Sequence, residues 1–431
     1  MTRSDTGRRR AGRRSTGAAA AVLALAALTA AGCSSSSSSS SSAPASTAAT
    51  AAASASATGS AGSAASGTPF KVGAMGTFTG VAAGSTADTK TVFQDWVDAT
   101  NAAGGINGHP IQATILDDQN TPSIAVTNAT QLVQQDHVQV IFDLSDDLES
   151  TFAKIVDTAK VPVLGQSEGP QLGTDPNFYS TGTTVEPEVW GALKAGTIEK
   201  VTKISSFYCA EIAQCAQAVP LITALGKTVG VSLSYSAKIS STASSYTAQC
   251  LGSKNAGAEG ITVGAAGDVA LRVAESCAAQ GYKPVYVAEA GEMTTPWLAQ
   301  SALNGSITAA QDVPWFDDST PATQAMQAAI TKYSPGLQTS ASYGANATIG
   351  WAAGTVFATV AKTAGLTPAS SQTQIIAALN TVKNNTFGGI TPPLTFTAGQ
   401  GHQVACSFVA GISNGKWTEP IGLKTICMPG I

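Results

Sequence analysis

Ser167 stands at the centre of Gly165-Gln166-Ser167-Glu168-Gly169. This is the G-x-S-x-G spacing in which a strand turns sharply into a helix and exposes a serine hydroxyl for acyl transfer. That chemistry needs a helix straight after the serine and a histidine within reach as base. Pro170, Gly173 and Pro176 follow instead, so the chain runs on as loop. The three histidines read as turn or surface residues: His109 precedes Pro110, His137 precedes a strand, and His402 lies in the C-terminal hairpin region. A serine hydrolase built on Ser167 is the remote alternative, and the sequence points away from an enzyme.

Seven cysteines are present, and without Cys33 they form an even set: Cys209, Cys215, Cys250, Cys277, Cys406 and Cys427. No CxxC pair or adjacent histidine supports a metal site, and no metal or cofactor is expected. An even set in an exported chain suggests disulfides, with about 15 connectivities open to six cysteines. Local geometry favours Cys209–Cys215 across a short loop and Cys406–Cys427 across a terminal hairpin. Cys250–Cys277 then joins two neighbouring helices.

The N-terminus reads as an address. Arg8, Arg9, Arg10, Arg13 and Arg14 precede the apolar run 18–27, and small residues lead to Ala30-Ala31-Gly32-Cys33. Charge, apolar core and small-residue cleavage pattern mark an export signal over 1–32. The last four residues resemble a bacterial lipobox, which implies lipidation of Cys33 and anchoring to the outer face of the membrane. Sec and twin-arginine export both remain open. Residues 33–69 are mostly Ser, Ala, Thr and Gly with no apolar face to bury, a composition that makes a tether. Removing residues 1–32 takes six of the 23 basic and one of the 27 acidic residues, leaving 17 and 26. The net charge is then about −9 with Arg272 as the sole arginine, which argues against a nucleic-acid partner.

From Phe70 the chain alternates strand and helix. Strands are expected at 70–75, 111–116, 138–142 and 161–164, and again at 204–207, 229–233, 260–263 and 284–288. A helix carrying Val92, Phe93, Trp96 and Val97 stops at Gly104-Gly105; the next begins near Pro122 with Val126, Ala129, Leu132 and Val133 facing in. Two successive α/β sets predict two lobes, each a parallel sheet with helices on both faces.

Several stretches then carry a family resemblance. They are Val72-Gly73-Ala74-Met75 with the turn Thr79-Gly80, Asn101-Ala102-Ala103-Gly104-Gly105-Ile106-Asn107-Gly108, and Leu116-Asp117-Asp118. Pro393-Leu394-Thr395-Phe396 and Gly411-Ile412-Ser413-Asn414-Gly415-Lys416-Trp417 complete the set. In this order the chain resembles the type I periplasmic binding proteins of the leucine/isoleucine/valine-binding family. The resemblance implies three hinge crossovers, an N-lobe of 70–182 and 312–390, and a C-lobe of 183–311 and 391–431. It also implies a small-molecule ligand in the inter-lobe cleft and the permease subunits of an ABC importer as partners. A ligand sensor on the same fold without transport stays open.

The ligand positions depart from that pattern. Where the resemblance implies a serine and a threonine facing an α-carboxylate, this chain has Asp146 and Gly169. Two implied tyrosines align with Ala213 and Ala266, an aromatic lid with Gly84, and the acid for an α-ammonium with Ala290, next to Glu289. The expected cleft residues are Thr79, Asp146, Asp147, Ser167, Glu168, Ala266 and Glu289, joined by Glu292. Carboxylates accept hydrogen bonds from ammonium, amide and hydroxyl groups and repel anions. A cationic, amide or polyol ligand is therefore expected. Asp146 and Asp147 also precede a helix, where negative charge is favoured without any ligand. Trp297 and Trp315 read first as core residues.

Overall fold

A computed structural model of the chain describes residues 65–80, 83–144, 148–166, 169–211, 213–289 and 291–431. The export signal, Cys33 and most of the tether lie outside the described residues. So do Asp146, Asp147, Ser167, Glu168 and Ala290.

Phe70–Gly76 forms β1, buried on both sides except at Lys71. Such a continuously buried strand needs helices on both faces of its sheet. β2 (Ile111–Asp117), β3 (Val140–Leu144), β4 (Val163–Gln166) and β5 (Phe178–Ser180) join it. The order is β2-β1-β3-β4-β5, and every pairing is parallel. The helix Thr89–Ala102 buries Val92, Phe93, Trp96 and Val97. It stops where Gly104 and Gly105 turn to φ of 94° and 71°. At Gly105 a Cβ would run into the His109 carbonyl, so glycine is required there.

The second sheet holds β6 (Lys203–Cys209), β7 (Ser232–Ile239), β8 (Gly260–Gly264), β9 (Val285–Ala288) and β10 (Ile307–Ala310), together with β11 (Cys406–Ser413), β12 (Lys416–Thr418) and β13 (Ile426–Cys427). β7-β6-β8-β9-β10 run parallel, and β11 returns antiparallel along β10. The C-lobe sheet is therefore mixed, not purely parallel, because the C-terminal hairpin closes its edge. Between β10 and β11 the chain goes back to the first sheet, where the helix Ile349–Thr363 packs on β3, β4 and Thr89–Ala102. Gly354 makes that approach possible, since a Cβ there would enter the Trp96 ring. The fold is two-lobed, and the chain passes between the sheets after β5, after β10 and before β11. Disulfides join Cys209–Cys215, Cys250–Cys277 and Cys406–Cys427.

Three expectations need correction. Ala129 and Leu132 face in as expected, but Val126 is 36% exposed and Ala125 and Asn128 face in instead, as the helix Pro122–Thr130 runs into a π-helical turn at Gln131–Gln135. The strand expected at 229–233 starts at Ser232, because a helix extends to Val229 and ends on Gly230 at φ 78°. His402 is a core residue, 2% exposed and stacked on Tyr179 at 4.4 Å between ring centroids.

Candidate functional site

In an open parallel sheet, the crevice for a ligand lies outside the carboxyl ends of the strands where the winding reverses. Here those points fall between β1 and β3 in the first sheet and between β6 and β8 in the second. The loops after these four strands therefore build the candidate site.

The loop after β1 is held by the two acids at the end of β2. Asp118 Oδ1 accepts from Thr77 Oγ1 at 2.7 Å, and Asp117 accepts from Phe78 N at 2.9 Å and Thr79 Oγ1 at 2.5 Å. These bonds hold the Asp117 carboxyl below its ordinary range despite partial burial. Thr79 is thus exposed and its hydroxyl proton is committed to Asp117. Lys90, at the start of the next helix, lies 5.5 Å from the Phe78 ring centre.

After β3 the helix Glu149–Ala159 opens on Glu149, which is fully buried. Asp143, inside β3, is 1% exposed. Gly169, in the loop after β4, faces Glu149 so closely that a Cβ at 169 would overlap its carboxylate. Sequence reasoning missed Glu149. The signal was the glycine at 169, since a position stripped to hydrogen often means that a neighbour fills the space.

On the opposite lobe, Ala266 is the half-buried N-cap of the helix Gly267–Ala279. Glu289 follows β9, half-buried, and burial pushes its carboxyl up to about 7. Its backbone N–H donates to Glu292 Oε2 at 3.3 Å, and Glu292 is 4% exposed. The Glu289 carboxylate lies 3.6 Å from where a Cβ on Gly264 would be, while the Glu292 carbonyl abuts Gly267. Ala266 and Glu289 are thus brought to one edge; Thr79 sits apart, beside β2. Arg272 is taken up within the C-lobe, donating to Ser241 O at 2.6 Å, Ala243 O at 3.1 Å and Asp268 Oδ2 at 3.3 Å. Glu211 accepts from Ser240 Oγ and from Ser241 N at 2.8 Å each, and these bonds pull it down to about 2.

The crossover after β10 divides its contacts between the lobes. Gln311 Nε2 donates to Glu188 Oε2 at 2.5 Å on the C-lobe helix Val185–Gly196. Asp312 accepts from Gln166 Nε2 and Thr348 Oγ1 on the N-lobe side, each at 3.2 Å. Burial raises Asp312 to about 7.

Trp297 and Trp315 are 0% and 1% exposed, so both belong to the core. The loop after β4 leads through Pro170 into a helix of only four residues, Gln171–Thr174, unlike the helix a nucleophile elbow requires. Burial pulls His402 down to about 4. Among the described residues, no group of His, Cys, Asp and Glu is arranged to hold a metal ion. Among them, too, no helix is long and apolar enough to cross a membrane.

Two lobes with a crevice at facing carboxyl edges define a solute-binding protein. Residues 69–416 match the sequence model of a periplasmic binding protein. The chain belongs to that family, in its type I, leucine/isoleucine/valine-binding-like branch. Solved structures agree in fold. A possible leucine/isoleucine/valine-binding protein from Rhodopirellula baltica superposes with a TM-score of 0.69 at 16% identity, over 81% of this chain and 96% of that one. A fatty acid ABC transporter substrate-binding protein from Thermomonospora curvata gives 0.68 at 17% identity, over 85% and 95%. An ABC transporter substrate-binding protein from Sphaerobacter thermophilus gives 0.68 at 16%, over 83% and 98%. No curated protein matches the sequence significantly.

Proposed function

We propose that this protein is the extracytoplasmic solute-binding lipoprotein of an ABC importer, anchored through Cys33 and without catalytic activity. Its ligand is a small polar molecule rich in hydrogen-bond donors: an amino acid or a related amide, cationic or polyol compound. The N-lobe comprises 70–182 and 312–390, and the C-lobe 183–311 and 391–431. The sheet membership of β1–β5 and β6–β13, and the split contacts of Gln311 and Asp312, support those boundaries.

The observation that carries the ligand class is the acidic character of the loops after β3, β4 and β9. Glu289, half-buried after β9, stands beside Glu292, while Arg272 is bound away by its own lobe. Asp146, Asp147, Ser167 and Glu168 follow β3 and β4 in sequence and join this set; Thr79 and Ala266 flank it. Carboxyl groups complement donors and disfavour an anionic head. The names of the structural neighbours span branched-chain amino acids and fatty acids, so the fold alone leaves the ligand to the side chains.

A thermal-shift screen of the exported protein against amino acids, amides, polyamines, sugars, fatty acids and dicarboxylates tests this reading. A ligand of the folded state raises the melting temperature. A shift with a polyamine, amide or sugar is expected; a shift only with fatty acids or dicarboxylates defeats the ligand class. Replacing Cys33 with Ser should release the protein from membranes, and unchanged membrane partition removes the anchor.

A further inference from the structure

Ser85 ends the short helical turn Ala83–Ser85 that follows β1, and Gly267 opens the helix Gly267–Ala279 that follows β8. The two belong to opposite lobes, and both follow strands at which the winding reverses. Ser85 Oγ accepts the Gly267 N–H at 3.0 Å in a buried bond. The first N–H groups of a helix find no partner within it. A donor left over in one lobe is therefore satisfied from the other.

The surrounding residues allow this approach because they are small. A Cβ on Gly84 would lie 2.8 Å from Asp268 Oδ1 and 3.2 Å from the Ala266 Cβ. A Cβ on Gly267 would collide with the Glu292 carbonyl, and the Gly267 carbonyl accepts from Trp297 Nε1 at 2.9 Å. Arg272 fixes the receiving surface by joining Asp268 to the carbonyls of Ser241 and Ala243. Gly84 and Ala266 are two of the positions where the family resemblance implies aromatic rings. In their place a serine hydroxyl meets the N-terminus of a helix.

We propose that Gly84 and Ser85 are positioning residues that seat the first lobe on the N-terminus of the helix Gly267–Ala279, forming the seam on which the cleft closes. Opening must break the Ser85–Gly267 bond and expose that N–H. A side chain at 84 meets Asp268 and Ala266 and holds the lobes apart. The inference rests on the two-lobed fold and not on the ligand class.

Hydrogen–deuterium exchange of the full exported protein in mild detergent, resolved at the Gly267 amide, tests the seam without any ligand. In the wild type this amide should exchange slowly although it heads a helix. Ser85→Ala should speed its exchange about three- to tenfold, the effect of losing one buried hydrogen bond. Gly84→Trp should speed it further. The amides of Ile261 to Val263 in β8 should keep their wild-type rates in both variants. The proposal is overturned if Gly267 exchanges freely in the wild type, or if neither variant changes it. It is equally overturned if β8 accelerates in step, because the bond would then report global stability and not closure.

Discussion

The Glu149 carboxylate occupies the place where a side chain at residue 169 would begin. Gly169 is in the loop after β4 and Glu149 at the head of the helix after β3, so the overlap joins the loops of two neighbouring strands. Gly169→Thr should destabilise the protein by about 1–3 kcal/mol, the usual cost of overpacking a filled site. Glu149→Ala in the same chain should recover most of that loss. A double-mutant cycle in chemical denaturation reads the coupling; additive effects would mean that the two residues do not compete for space.

Proton binding to buried acids sets the pH dependence of stability. Asp312 and Glu419 are raised to about 7, and Asp95 to about 6. Burial leads in each case, reinforced for Glu419 by Asp317. A carboxyl whose folded pKa exceeds its unfolded value binds its proton more tightly in the native state. Stability then falls as pH rises from the unfolded value, about 4, to the folded one, and is level beyond it. Glu211, held at about 2, acts oppositely, losing its contribution only in stronger acid. The melting temperature should therefore fall between about pH 5 and pH 8. Asp312→Asn should flatten that fall and raise the melting temperature at pH 8, since a neutral amide can still bond to Gln166 and Thr348. A variant as steep as the wild type would remove Asp312 from the account.

What could be read beforehand follows from the range of the forces involved. β1 and the helix Thr89–Ala102 were legible because their apolar spacing and the Gly104-Gly105 stop are local. β5 and β10 have three and four residues, too few for a periodic signal. They are strands because Phe178 pairs with Val163 and Ile307 with Val287, contacts made across the sheet. His402 looked like a turn residue because nothing near it in sequence announces Tyr179, more than two hundred positions earlier, as its stacking partner. Glu289 could be placed from its position after a strand. Glu149 and Ser85 could not, since their importance depends on Gly169 and Gly267 in distant loops.

The three disulfides should leave no reactive thiol in the exported protein denatured without reductant. Cys250–Cys277 and Cys406–Cys427 span 27 and 21 residues, against six for Cys209–Cys215. Longer loops restrict the unfolded chain more, so each of these two should contribute about 2–4 kcal/mol, and the short bridge less. Cys-to-Ser pairs unfolded in denaturant test the ranking. Equal midpoints for all three pairs would show that loop length does not govern their effect.

Leucine, isoleucine and valine should not be tight ligands. Their α-carboxylate needs donors, and the loops after β3 and β4 carry Asp146 and Gly169 where the family resemblance implies two hydroxyls. A carboxylate brought against carboxylates in a closing cleft costs several kcal/mol unless a proton or cation intervenes. Arg272 cannot move in to compensate while it holds Ser241, Ala243 and Asp268. Calorimetric titration of the three amino acids decides the matter, and micromolar or tighter binding by any of them defeats the prediction. Asp146→Ser should not restore binding, and neither should Asp146→Ser with Gly169→Thr, because Glu149 already fills the space the new hydroxyl needs. Only with Glu149 also reduced to alanine can a hydroxyl at 169 be seated. Even then the aromatic surface that the family resemblance implies at Ala213 and Ala266 would be missing, so weak binding is the most that this triple variant should gain.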